Sequence, residues 1–287
     1  MTEANLEQRE YWNGAESREW ADAPERFDQM LEPFADSILD AAALAPGERV
    51  LDVGCGNGAT TLAAAAHVGE TGAALGVDLS EPMLANARAR ATERGITNAR
   101  FVAADAQVTA LPGRFDVIVS RFGVMFFEDP DAAWSNLVGS LAPNGRVVLM
   151  CWRSVLENEW VAVQAQAAFA HVPPPAELAS AELASGGPGP FRYGDPAPLV
   201  RSLERAGLHD VAATPIDATI LLGGRGSLEE VLAFVEGSGM TRRLLDGAPP
   251  EQEARALVAV REALAPYATD EGVRLGAAAW LVTGRRR

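Results

Sequence analysis

Residues 50–58 read VLDVGCGNG: Val50, Leu51, Asp52, Val53, Gly54, Cys55, Gly56, Asn57, Gly58. An apolar run stops on an acid, and glycine then recurs at every second position. The pattern predicts a buried strand that ends in a tight loop and opens a helix near Ala59. Backbone approaches something closely at such a loop, because glycine leaves no Cβ in the way. The helix N-terminus aims its free amides at the same place.

Working outward, further apolar runs lie at 73–77, 99–103, 115–120 and 146–151, with helical punctuation between them. In DLSEPMLANARARATERG, Ser80 caps, Pro82 falls in the first turn and Gly95 closes the end. Met83, Leu84, Ala87 and Ala91 then share one face. FDVIVS and RVVLMC are almost continuously apolar, as parallel strands covered on both faces are. Strands alternating with helices predict an α/β fold with an open sheet. A helical segment precedes it, where Phe27, Met30, Leu31, Phe34 and Ile38 form a core-facing stripe.

Two stretches exceed a minimal sheet: 153–210, with HVPPP and GGPGPFRYGDP, and about 221–272, with two helical patterns. Spans of this kind are commonly lids over a site. The expected organisation is one domain over 1–287. It comprises a helical cap (1–45), a cofactor-binding core (46–152), a lid insertion (153–210) and a C-terminal sheet portion with its own helical insertion (211–287).

The 287 residues carry a net charge of −15, which argues against nucleic acid or an anionic membrane as partner. The chain contains no lysine, so all 24 cations are arginine. That absence excludes Schiff-base chemistry, a pyridoxal phosphate anchor and a Walker-type phosphate site. Two cysteines make no disulfide framework, and no run reaches membrane-spanning length. A cytoplasmic location is the expectation.

Gly54, Gly56 and Ala59 also satisfy the dinucleotide fingerprint, and Asp78 at the end of GVD suits ribose hydroxyls in either case. These two motifs alone leave an NAD(P)-dependent oxidoreductase open. A second acid, Asp105 in FVAADAQ, and the aromatic ending of FDVIVSRFGVMFF separate the readings. With DVGCGNG, GVDLS, AADAQ and FDVIVSRF in this order, the chain resembles class I S-adenosylmethionine-dependent methyltransferases of the ubiquinone/menaquinone-biosynthesis type and their small-molecule relatives. The resemblance is specific over about residues 45–152 and extends to the terminal AAAWLVTGR.

The resemblance implies a Rossmann-like sheet of seven strands with the last antiparallel, S-adenosyl-L-methionine as cofactor, and S-adenosyl-L-homocysteine as product. It implies that the Gly54–Cys55–Gly56–Asn57–Gly58 backbone lies against the cofactor and that Asp52 faces its ammonium. Asp78 would bind the ribose, with Leu79 and Met83 beside it. Asp105 and the Ala106 amide would read the adenine. The Ser120 carbonyl, Arg121 and Phe122 would line the methionine end. The methyl acceptor is expected to be a small aromatic or apolar metabolite, methylated on carbon, nitrogen or oxygen.

Trp12, Phe126, Phe127, Phe191 and Tyr193 are the expected substrate pocket, and Tyr11 and His171 the candidate bases. Tyr11, Trp12, His171, Phe191 and Tyr193 should converge as a lid. Glu128, Asp129 and Asp131 read as helix-capping acids. His67 reads as structural at a helix end and His209 as a surface residue. No metal spacing is visible. A monomer or a homodimer with a swapped N-terminal helix fits the pattern. A protein that binds the cofactor without transferring methyl is the other open reading.

Overall fold

A computed structural model describes residues 4–15, 17–174 and 187–287. Its sheet is built from β1 (Arg49–Val53), β2 (Ala73–Asp78), β3 (Ala99–Ala103), β4 (Phe115–Arg121), β5 (Leu141–Trp152), β6 (Leu208–Leu222), β7 (Ala268–Thr269) and β8 (Gly272–Arg286). The order is β3-β2-β1-β4-β5-β8-β6, with β7 paired to β8. Strands β1 to β5 are parallel, while β8 runs antiparallel to both β5 and β6. The seven expected strands are therefore present, with the last one reversed, and the eighth is a two-residue addition.

The burial of β1 is continuous from Val50 to Val53, and β5 is buried from Val147 to Trp152, as strands covered on both faces must be. Strand β6 instead alternates exposed and sheltered residues along most of its length, the mark of an edge. Pro215 is tolerated there because an edge strand has one row of amides without a ladder partner.

Before β1 come helices α1 (Leu6–Asn13), α2 (Arg18–Asp22), α3 (Pro24–Leu31) and α4 (Ala35–Ala42). The apolar stripe from Phe27 to Ile38 is buried as the pattern predicts, but not on one helix. Pro33 lies in the tight turn 32–34, where its missing N–H ends α3 and lets α4 restart at a new angle. Next follow α5 (Ala59–Val68), α6 (Glu81–Glu93), α7 (Pro130–Ser140), α8 (Glu159–Phe169) and α9 (Ala197–Arg205). The α6 cap is the expected one: Ser80 Oγ accepts from the Met83 N–H, and Gly95 adopts a φ of 64° just beyond the end. Asp129 caps α7, accepting from the Asp131 and Ala132 amides.

Between β6 and β8 lie α10 (Leu228–Glu236), α11 (Gly239–Leu244) and α12 (Pro250–Leu264). One apolar core extends from Met30 through the sheet to Val282. A second, small cluster joins Cys55, Leu62, Leu84, Ala87, Ala91 and Phe101 beneath the glycine loop. No described helix is long and apolar enough to cross a membrane.

Candidate cofactor and acceptor site

The chain leaves β1 outward to β2 and β3, then crosses back to place β4 on the other side of β1. The carboxyl ends of β1 and β4 therefore part, which opens a crevice at this switch of direction. At the end of β4 the backbone bends sharply, because Phe122 has a φ of 65°. A left-handed conformation costs a non-glycine residue roughly 1–2 kcal/mol. Stacking of Phe122 on Trp152 (centroids 3.9 Å apart, planes at 11°) and the bond from its N–H to the Met150 carbonyl (2.9 Å) hold it there. The bend lays Gly123 directly on Gly54, so that a Cβ on Gly54 would stand 2.6 Å from Gly123 Cα. Ser120 braces the crossing: its Oγ donates to the Val53 carbonyl (2.7 Å) and accepts from the Gly123 N–H (3.2 Å).

The glycine spacing has a different cause from the one its sequence suggests. A Cβ at Gly58 would meet Ala87 Cβ at 2.8 Å and the Phe101 ring at 2.9 Å, so close packing of α5 on α6 excludes it. Gly54 is excluded by Gly123. Only Gly56 has no protein atom closer than Met83 Sδ at 3.6 Å, and its flank opens to the cavity. The loop amides are also largely spoken for. Gly54 and Cys55 N–H both donate to the Val77 carbonyl (2.9 and 3.1 Å), Gly58 N–H to the Cys55 carbonyl (2.9 Å), and Gly56 N–H to Asp78 Oδ2 (2.7 Å).

Three acids close the site. Asp52 is 1% exposed and accepts from Thr61 Oγ1 (2.6 Å); burial pushes its carboxyl up to about 6. Burial also raises the Asp78 carboxyl, against the lowering effect of the Ser80 and Gly56 amides that donate to it. Asp105, 3% exposed, accepts from Asn5 Nδ2 and the Gln107 N–H on Oδ1, both at 2.9 Å. Its Oδ2 is buried and receives no hydrogen bond among the described residues. Arg121 donates to the Leu31 carbonyl (3.3 Å); burial lowers its pKa, while the Asp28 and Asp52 charges oppose that shift.

A cavity of about 1990 Å³ runs from this crevice under a helical roof. Of the sequence candidates, Gly54, Gly56, Asp78, Leu79, Met83, Asp105, Ala106, Arg121, Phe122, Tyr11, Trp12, Phe126, Phe127 and Phe191 line it together. Asp52, Cys55 and Asn57 instead border a small adjoining recess that Arg121, Gly54, Gly56 and Met83 share with the main cavity. The Cys55 side chain packs into the small apolar cluster, where burial drives its thiol pKa upward. Asn57 Nδ2 donates to the Trp20 carbonyl (2.8 Å), and its Oδ1 accepts from Asn86 Nδ2 (3.0 Å).

Four candidates lie outside the lining. Gly58 and Ser120 serve packing and bracing, as above. Tyr193 is 2% exposed, its side chain within the core. His171 is exposed just past the end of α8. Of the five residues expected to converge as a lid, Tyr11, Trp12 and Phe191 line the cavity, whereas His171 and Tyr193 do not. Within HVPPP and GGPGPF, Pro175 and Gly186 lie outside the described residues.

The roof enlists residues that the sequence did not mark. Helix α1 is pinned down by Asn13, whose Nδ2 donates to the Leu79 carbonyl (2.9 Å) and whose Oδ1 accepts from the Glu81 N–H (3.1 Å). Glu19 of α2 accepts from the Gly239 N–H (2.8 Å) and Arg242 (3.2 Å), joining the N-terminal helices to α11. Trp20 stacks on Phe27 (3.7 Å, 12°), which meets Phe234 of α10 edge-on at 5.4 Å. Gly189 N–H donates to the Met125 carbonyl (3.1 Å), and Arg192 to that of Phe127. Tryptophan content was the one available signal: Trp12, Trp20, Trp152 and Trp160 all face the cavity.

An open parallel sheet with one reversed strand, a glycine loop at the direction switch and acids ending β2 and following β3 define an open α/β protein with its crevice at the topological switch point. Residues 50–145 match the methyltransferase domain family. Aklanonic acid methyltransferase DauC of Streptomyces sp. (strain C5) is 35% identical over 42% of this chain and 54% of its own length. Nocamycin O-methyltransferase of Saccharothrix syringae is 36% identical over 42% of this chain and 44% of its own. The matches thus span about half the length of these curated relatives. The YcgJ protein from Bacillus subtilis shares the fold, with a TM-score of 0.56 at 20% identity over 88% of this chain and 97% of that one.

Proposed function

We propose that the protein transfers a methyl group from S-adenosyl-L-methionine to a small, largely apolar aromatic acceptor. The bond from the Gly56 N–H to Asp78 Oδ2 carries the reading. A dinucleotide pyrophosphate needs free loop amides and positive potential. Here a carboxylate occupies the central amide, and Val77 and Cys55 carbonyls take three others. The buried Asp52 and the half-buried Asp78 favour a cationic ligand instead. That chemistry suits a sulfonium with an ammonium tail and disfavours NAD(P).

The residues present fit such a ligand. Asp105 Oδ2 is an acceptor without a donor, as an adenine amino group would require. Asp78 can accept from the ribose while still holding Gly56, since a carboxylate has about four acceptor sites. The small recess joins the Asp52 carboxylate to the Arg121 guanidinium, the charge pattern that complements an α-amino acid tail.

The cofactor supplies an electrophilic methyl on a positively charged sulfur, so the protein's task is alignment and water exclusion. Held alignment of two reactants can account for roughly 7–11 kcal/mol of a barrier. The acceptor's share of the cavity is walled by Trp12, Phe126, Trp152, Trp160, Phe191 and Phe234. Ligand pockets commonly measure about 300–1,000 Å³, so a 1990 Å³ cavity has room for two ligands side by side. Tyr11 lines that space and is the candidate base when the acceptor must lose a proton, in preference to His171, which lies outside the lining.

Calorimetry with S-adenosylmethionine, S-adenosylhomocysteine, NAD⁺ and NADH tests ligand class, with binding expected for the first two alone. Turnover of aromatic acceptors to S-adenosylhomocysteine then separates transfer from binding. Binding without product from any acceptor would leave a cofactor-binding protein that does not methylate.

A further inference from the structure

The start of the N-terminal segment grips the far end of the nucleoside site. Asn5, 3% exposed and left-handed (φ 52°), makes a reciprocal pair with Glu128. Its N–H donates to Glu128 Oε2 (3.0 Å), and its Oδ1 accepts from the Glu128 N–H (2.8 Å). The remaining donor, Nδ2, goes to Asp105 Oδ1. Asn5 thereby fixes the orientation of the Asp105 carboxylate and leaves Oδ2 as its one open acceptor.

One turn further along, Gln8 lines the same cavity, and its Oε1 is a second buried acceptor that receives no hydrogen bond. Gln8 lies in the first turn of α1, three residues past Asn5, and lines the cavity together with Asn5 and Asp105. Of the five buried side-chain atoms without partners among the described residues, these two are acceptors on residues lining the cavity. Buried acceptors are nearly always satisfied in folded proteins, so a pair of them at one ligand edge calls for donors from the ligand. An exocyclic amine on a purine has two N–H bonds and can serve both.

We propose that Gln8 reads the base: its Oε1 and Asp105 Oδ2 together accept the two N–H bonds of the purine amino group. The inference rests on the nucleoside cofactor proposed above. Both atoms are buried, so on this proposal the base enters with the N-terminal segment lifted and the segment then closes on it. Closure over an empty site leaves both acceptors bare; closure over adenine satisfies them. A hypoxanthine base presents a carbonyl oxygen in place of the amine and sets three acceptors against one another.

The test compares S-adenosylhomocysteine with S-inosylhomocysteine, its hypoxanthine counterpart, by calorimetry on the full chain. The wild type should prefer adenine by at least about thirtyfold. Gln8→Met, similar in shape but without the acceptor, should lose about tenfold of that ratio, since one hydrogen bond is worth about that factor. Gln8→Glu keeps acceptor oxygens and should retain the preference. An unchanged ratio in Gln8→Met, or equal weakening of both ligands, overturns the proposal. Limited proteolysis of the wild type gives a readout independent of variant folding. Adenine should protect residues 4–15 more than hypoxanthine does, and equal protection overturns the proposal. Wild-type protein that binds neither ligand would overturn the cofactor reading itself, which separates the two failures.

Discussion

Replacing Asp52 with Asn should flatten the pH dependence of cofactor binding and stabilise the empty protein. The Asp52 carboxyl is pushed up to about 6 in the fold, from 3.8 without burial. At 1.36 kcal/mol per pKa unit, that difference of about 2 units corresponds to about 3 kcal/mol, an order-of-magnitude figure. The sign follows from which state holds the proton. Between about pH 4 and 6 the folded form keeps a proton that the unfolded chain has lost, so stability falls as pH rises through that window. Above pH 6 the penalty is constant. Asp52→Asn cannot ionise and retains an oxygen for the Thr61 hydroxyl, so its advantage in the empty protein should open over the same window.

Binding has the opposite trend. An ammonium held by Asp52 requires the ionised acid, which is about one tenth populated one unit below its pKa. Wild-type affinity for S-adenosylhomocysteine should therefore fall about tenfold between pH 7 and pH 5. The variant should bind at least about tenfold more weakly at pH 7, for loss of a charge-assisted bond. Its remaining pH slope would belong to Asp78, whose carboxyl is also raised. Calorimetry at pH 5, 6 and 7, paired with denaturant unfolding of the empty proteins, measures both effects. Equal slopes in wild type and variant, or an empty variant no more stable at pH 7, would refute the placement of the ammonium at Asp52.

Asp78→Ala should lower cofactor affinity at least about tenfold and also destabilise the empty protein by about 1–3 kcal/mol, because the Gly56 and Ser80 amides lose their acceptor; calorimetry and unfolding report the two separately. Gly123→Ala drives a Cβ to 2.5 Å from the Val53 carbonyl oxygen and 2.7 Å from Gly54 Cα, so melting should drop by several degrees with cofactor binding impaired. A melting point unchanged from wild type would show that the β1–β4 crossing is not tightly packed. His171→Ala should leave turnover within about twofold of wild type, whereas Trp12→Ala, which strips a ring from the cavity wall beside Phe126 (5.1 Å), should reduce it at least about tenfold. Initial rates on one acceptor compare the two.

The half of the site nearest the sheet was legible in the chain. Strand β1, its loop, Asp78 and Asp105 sit in segments whose apolar periodicity and strand-ending acids are local properties, readable within a window of a few residues. The resemblance then ordered those windows into one sheet. Why Gly54 and Gly58 must be glycine was not legible, because the atoms that exclude a Cβ belong to Gly123, Ala87 and Phe101. His171 and Tyr193 carried the right chemistry but lie one outside the cavity and one buried behind it. Only the tertiary structure brings Asn5 to Glu128 across 123 positions and Glu19 to Gly239 across 220. No periodicity spans such distances: the acceptor cavity, with Gln8, Trp20, Trp152 and Phe234 on its walls, exists only when the N-terminal helices meet α10 and α11 over the sheet.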